Sequence, residues 1–236
     1  MQFTLVLLAA LAPIAVALVY IFKKDRQQPE PTRWLVKAFG FGLLSALLSF
    51  VFSIPMSLLL GLEVDPTTYH SLGEAFLDAF CLAALPEELA KLILLWLLLR
   101  RNPSFDEKFD GIVYAVFIGR GFAGLENILY LFSGFDDGSW VSTGISRALF
   151  AVPAHFLFAV LMGYYYSRYH FGIDRGIKGA AMVLAAPVLA HGIYDGLLFS
   201  TQVDEYLSLL CLLLFLYFFN RLRKIGQEKI QRLVNQ

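Results

Sequence analysis

Apolar residues recur along this chain in seven long runs separated by short polar stretches, at about residues 3–22, 34–61, 75–99, 111–132, 144–166, 179–200 and 205–220. These lengths match the roughly 20 residues that an α-helix needs to cross a hydrocarbon core. Lipid offers backbone groups no partners, so each run must satisfy its own as a helix. The pattern predicts an all-α, polytopic transmembrane bundle of about seven spanning helices. With no internal repeat and no low-complexity stretch, residues 1–220 read as a single transmembrane domain. Residues 221–236 follow as a basic amphipathic tail. There Leu222, Ile225, Ile230 and Leu233 recur at near-helical spacing among lysines and arginines. Such a tail suits an anionic lipid surface or simply continues the seventh helix.

Composition narrows the class. Of 236 residues, 58% are hydrophobic and only 16% charged, with a mean hydropathy of +0.65. A soluble domain would not tolerate that balance, so the lipid bilayer is a necessary partner. The formal net charge is zero and gives no support to nucleic acid as a partner. The first run lacks a basic start, and Lys23, Lys24 and Arg26 stand where a cleavage site would be, so it reads as a retained helix. Cys81 and Cys211 fall in apolar segments, as small buried side chains rather than a disulfide or metal pair.

Lysine and arginine alternate from loop to loop. They crowd the segments around residues 23–37, 100–108 and 168–178 and the tail, whereas EVDPTTYHS, SGFDDGSWVST and TQVDE contain none. By the positive-inside rule the N-terminus lies outside and the C-terminus in the cytoplasm. Of the 19 basic residues only Lys91, Arg120 and Arg147 are left inside runs. Arg147, near an outer boundary, is expected to snorkel, and Asp78 to be hydrated near the same surface.

The runs also hold acids and histidines. AALPEELAKLILLWLLLR carries Glu87, Glu88 and Lys91, the fourth run Arg120, Glu126 and Asn127, the fifth His155, and the sixth His191 and Asp195. Each ionisable group near the bilayer centre costs roughly 2.5–3.5 kcal/mol, so these side chains must face one another in the interior. Glu87 with Lys91, and His191 with Asp195, are four apart and share a helix face. Four carboxylates against Lys91 and Arg120 leave about two negative charges unbalanced. One divalent metal such as zinc, on His155, His191 and Glu126, would neutralise them. Shared protons would do so equally well. Either arrangement prepares water for attack: Glu87 or Glu88 serves as general base, and a histidine, Asn127 or the metal stabilises the oxyanion. That is the chemistry of peptide-bond hydrolysis.

Four ordered blocks carry a resemblance. EELAK at Glu87–Lys91 matches EExxK, DGIVYAVFIGRGFAGLEN ends in Glu126-Asn127, His155 follows, and HGIYD at His191–Asp195 matches HxxxD. Together they resemble the PrsW family of intramembrane proteases. More distantly they are similar to CAAX prenyl endopeptidases and bacteriocin-processing relatives. Those carry EExxxR and commonly asparagine where this chain has Asp195. The PrsW resemblance implies site-one cleavage of a single-pass membrane substrate such as an anti-sigma factor, on the extracytoplasmic side of the bacterial inner membrane. It implies catalytic roles for Glu87, Glu88, Glu126, His155, His191 and Asp195, with Lys91, Arg120 and Asn127 in support.

A proton- or cation-coupled transporter is the alternative, because intramembrane acids and histidines also mark ion pathways. Against it, no inverted repeat is visible. Other intramembrane proteases are excluded by motif: the chain has no HExxH, no GxGD to accompany Asp195, and no GxSG on a helix.

Overall fold

A computed structural model describes residues 2–26, 28–63 and 68–234. Residues 64–67 of the lysine-free EVDPTTYHS loop, and the last two residues of the tail, lie outside them. The described residues form a helical bundle without strands. Helices α1 (Gln2–Lys24) and α2 (Thr32–Leu60) come first. Helix α3 runs over 72–99: Leu72–Asp78 passes through a π-helical turn, Ala79–Ala84, into Leu85–Leu99. Helix α4 is Asp110–Ser133. Helix α5, Trp140–His170, contains a second π turn at Arg147–Ala151. Helix α6 is Gly176–Phe199 with a 3₁₀ turn to Gln202, and α7 is Glu205–Val234.

Six of these helices are both long and apolar enough to cross a membrane. Helix α3 is as long as the others, and its acids and lysine are what set it apart. The structure thus has the expected polytopic helical architecture. Its two ends are distinguished by charge, a basic end holding Val234 and a lysine-free end holding residues 61–63, 68–71, 134–139 and 203–204.

Prolines shape the two π turns. Pro86 and Pro153 lack an N–H, so the carbonyls four residues earlier lose their helical donors. Just before each proline the chain widens by one residue: Leu85 N–H bonds Phe80 O, and Val152 N–H bonds Arg147 O, both i to i−5. The residues that follow, Glu87 and Glu88 on α3 and His155 on α5, turn inward. Pro187 lies inside α6, one helical turn before His191, with no π turn beside it.

Close packing sets helix positions. A β-carbon at Gly42 of α2 would lie 2.1 Å from Ile118 O, and one at Gly121 of α4 would lie 2.1 Å from Phe39 O. The two backbones therefore touch, as small residues permit in membrane interfaces. The main core at the basic end joins Leu95, Leu98, Ile112, Val116, Met162 and Ile230. A second, around Phe158, Tyr194, Phe215 and Phe219, binds α5, α6 and α7. Helix α7 continues unbroken to Val234 with Leu222, Ile230 and Leu233 buried, and Arg232 donates to Tyr164 Oη at 3.3 Å. Its 30 residues span about 45 Å, beyond the roughly 30 Å hydrocarbon thickness. Both cysteines are free thiols.

Candidate active site

Lys91 Nζ stands at the centre of the bundle's polar interior. It donates to Glu88 Oε1 at 2.8 Å and Glu87 Oε2 at 3.2 Å, and lies 3.5 Å from His155 Nδ1. The Phe122 ring lies beneath it, 3.7 Å from Nζ to centroid, adding a cation–π contact. The helical offsets of three and four let one lysine reach both acids.

His191 approaches from α6. Its Nδ1 is 3.0 Å from Glu88 Oε1 and its Nε2 2.9 Å from Asp195 Oδ2, with Glu87 Oε2 4.0 Å away. Phe158 stacks on its ring at 4.5 Å and 18°. Glycines make the approach possible. A β-carbon at Gly192 would lie 2.4 Å from the Phe80 ring and one at Gly196 2.6 Å from Phe76, so α6 could not sit this close to α3 with larger residues.

On the other side, His155 Nε2 is 2.8 Å from Glu126 Oε2. The same oxygen accepts from Arg147 Nη2 at 2.7 Å, and Arg147 Nε donates to Asn127 Oδ1 at 2.6 Å. Asn127 Nδ2 in turn donates to Ala10 O at 3.0 Å, tying α1 to the assembly. Both ends of the Asn127 amide are thus occupied, and it serves as a brace. Eight ionisable side chains from α3, α4, α5 and α6 are connected in one network.

Arg147 was not evident as a member of this network from sequence. It was expected to snorkel, yet its side chain is only 12% exposed. The π turn beginning at Arg147 turns it toward α4. Asp78 also differs from expectation: it is buried and accepts from Tyr69 Oη at 2.7 Å, because the loop before α3 folds over it. Arg120 is fully buried, with Cζ 5.7 Å from the Phe156 ring, and none of its three side-chain nitrogens meets a hydrogen-bond partner among the described residues. It is separate from the charge network. His70 and His170 are exposed and lie away from the site, His170 packing on Phe105 at the basic end.

One ligand atom each from Glu87, Glu88, His155 and His191 falls within 4.8 Å of the others, and this group could hold a metal ion. Glu126 lies outside this quartet, engaged by His155 and Arg147. Glu88 Oε2 is buried without a hydrogen-bond partner among the described residues, a spare acceptor in the group. Two imidazoles and two carboxylates are also a donor set that zinc accepts. In this structure the Lys91 ammonium is the cation that these groups surround.

Residues 30–220 match the family model described as PrsW family intramembrane metalloprotease. The chain belongs to the PrsW family. It is 33% identical over 230 residues to Protease PrsW of Clostridioides difficile (strain 630), covering 97% of this chain and 91% of that one. Against Protease PrsW of Geobacillus kaustophilus (strain HTA426) the identity is 35% over 222 residues, 94% and 91% of the two chains. Protease PrsW of Bacillus subtilis (strain 168) is 33% identical over 223 residues, 94% of each. No solved structure matches. The PrsW match and the apolar helices together make this a multipass bacterial membrane protein and an intramembrane peptidase, acting on membrane protein substrates.

Proposed function

We propose that the chain hydrolyses a peptide bond in a single-pass membrane protein such as an anti-sigma factor, with Glu87 as general base. The observation that carries this reading is that Glu87 belongs to the buried quartet and also lines a cavity of about 330 Å³. Glu88, by contrast, is wholly buried. Water beside Glu87 gives up a proton to the carboxylate as its oxygen adds to the scissile carbonyl carbon. Glu87 then returns that proton to the amide nitrogen as the C–N bond breaks, leaving a carboxylic acid and an amine. Glu88 and Asp195 fix His191 through its two ring nitrogens, and Lys91 and the histidines supply positive charge and donors for the oxyanion. Glu126 orients His155, and Arg147 and Asn127 orient Glu126.

A zinc ion, where bound, would be held by Glu88, His155 and His191 of the quartet, leaving Glu87 as the base, and would supply Lewis-acid polarisation. The positive-inside rule, applied to the basic loops, supports a cytoplasmic C-terminus, with the extension beyond residue 220, and an outside N-terminus. The Glu87 cavity then lies on the extracytoplasmic side, which suits site-one cleavage.

The test is co-reconstitution with a single-pass anti-sigma factor in proteoliposomes. Cleavage that disappears with Glu87→Gln and His191→Ala supports the proposal. Cation flux without cleavage would establish the transporter alternative instead.

A further inference from the structure

Helices α2 and α4 touch backbone to backbone at Gly42 and Gly121 and part toward the lysine-free end. In the opening between them lies the 330 Å³ cavity. Its α2 wall presents Ala46, Ser49 and Ser53, its α4 wall Phe122, Glu126 and Leu129, and α3 closes the back with Leu82 and Glu87. The rim is apolar and uncovered: Phe50 is 44% exposed and Leu129 51%. In a bilayer those two side chains face acyl chains. The cavity therefore runs from lipid to a catalytic carboxylate without passing through either aqueous phase.

Its size decides what can enter. A volume near 330 Å³ is at the small end of the roughly 300–1,000 Å³ of ligand clefts. An intact helix, about 10–12 Å across, does not fit. A helical segment would also present its carbonyls already bonded within the helix, shielded from attack. An extended stretch of two or three residues has the right bulk, and its freed N–H and C=O groups need partners at this depth. The cleft has hydroxyls along its length at Ser49, Ser53 and Ser133; those of Ser49 and Ser133 donate to Ala46 O and Tyr130 O and keep lone pairs that accept a substrate N–H.

We infer that the α2–α4 cleft is the substrate-docking site: a membrane-spanning substrate enters sideways past Phe50 and Leu129 and unwinds there, laying a short extended segment against Ala46, Ser49 and Ser53. This inference rests on the protease reading above. It makes specificity a matter of local helix weakness. A substrate span with glycine or other small, poorly helical residues in its outer half is admitted, and an uninterrupted leucine helix is refused.

Two synthetic single-pass peptides serve as probes, one with a leucine-rich span interrupted by Gly-Ser-Gly in its outer half and one uninterrupted. Co-reconstituted with the full chain, the interrupted peptide is cleaved at least about tenfold faster, and Ala46→Trp, which fills the cleft, removes that cleavage by about tenfold or more. Binding is read separately in Glu87→Gln protein carrying a photo-reactive benzoylphenylalanine at Phe50 or, as a control, at Leu212 on α7. The interrupted peptide crosslinks from position 50 and not from 212, a result that holds even if Ala46→Trp fails to fold. Equal cleavage of both peptides, unchanged cleavage in a folded Ala46→Trp protein, or equal crosslinking from both positions overturns the docking site while the protease reading stands. If neither these peptides nor an anti-sigma factor is cleaved by the wild type, the protease reading itself has failed.

Discussion

Arg147 holds Glu126 at 2.7 Å and Asn127 at 2.6 Å, one guanidinium bridging two consecutive residues of the neighbouring helix. Through Glu126 the bridge reaches His155. Arg147→Ala leaves a largely buried carboxylate without its main counter-charge, a loss of roughly 3 kcal/mol. Arg147→Lys does not restore it, since an ammonium lacks the fork that spans two acceptors. Thermal unfolding in detergent should fall for both variants, and peptide cleavage with it. Wild-type stability and cleavage in Arg147→Lys would show that the fork is dispensable.

The two adjacent glutamates should separate under mutation. Glu87→Gln is expected to reduce the cleavage rate by about 100- to 10,000-fold with stability preserved, the range for loss of a general base. Glu88→Gln should affect both, because Glu88 bonds Lys91 and His191. Rate and unfolding temperature measured on the same preparations distinguish them. Equal behaviour of the two variants would contradict the division of roles.

Metal content provides a third measurement. Elemental analysis of purified protein should find close to one zinc per chain, lost in His191→Ala and reduced in His155→Ala. Full peptidase activity at a metal content near zero would remove zinc from the proposal and leave the charged network as the catalyst.

At the basic end the α1–α2 connection holds Asp25 and Glu30 near Asp106, Glu107 and Asp110, and the Tyr114 hydroxyl donates to Glu30. Burial, reinforced by the neighbouring acids, pushes Asp25 up to about 6 and Glu30 up to about 7. Raised carboxyl values mean that the folded chain keeps protons an unfolded chain has released. The associated stability is complete below about pH 4 and is lost as pH rises through 6 to 7. The unfolding temperature should therefore drop between pH 5 and pH 8, and Glu30→Gln should flatten the slope. A wild-type profile that is level over that range would contradict the assignment.

Gly42 allows a fifth prediction. Its missing β-carbon would meet the Ile118 carbonyl, which cannot move as a side chain can. Gly42→Val should cost about 1–3 kcal/mol of stability, read as a lower unfolding temperature. Gly40→Val, with open space around its position, should be tolerated.

Much of this was legible in the chain itself. The apolar runs locate every helix, and the forbidding cost of intramembrane charge is enough to send Glu87, Glu88, His155 and His191 toward one interior. What the runs do not encode is rotation. A π turn inserts one extra residue into a helix without any sequence period announcing it, so Arg147 looks peripheral by depth and is central by direction. Asp78 was misjudged for another reason, since the tyrosine that covers it lies nine positions away in a loop. Ala115, Gly119 and Ala123 form a stripe of small residues that Glu126 continues by one turn, which points it inward, but its engagement by Arg147, 21 positions on, depends on how α4 and α5 dock.

The pairing of Lys91 with Glu87 and Glu88 has a consequence for biogenesis. His155 and His191 are synthesised 64 and 103 residues after the groups they meet, so α3 reaches the translocon long before its tertiary partners exist. Only contacts made within α3 can offset its charge at that moment, and the lysine's offsets of four and three supply them as soon as the helix winds. The same side chain thus pairs within its own helix before any partner from α5 or α6 can reach it. Nascent chains carrying Lys91→Ala should stall with α3 outside the bilayer, visible by glycosylation mapping of the loop beside it.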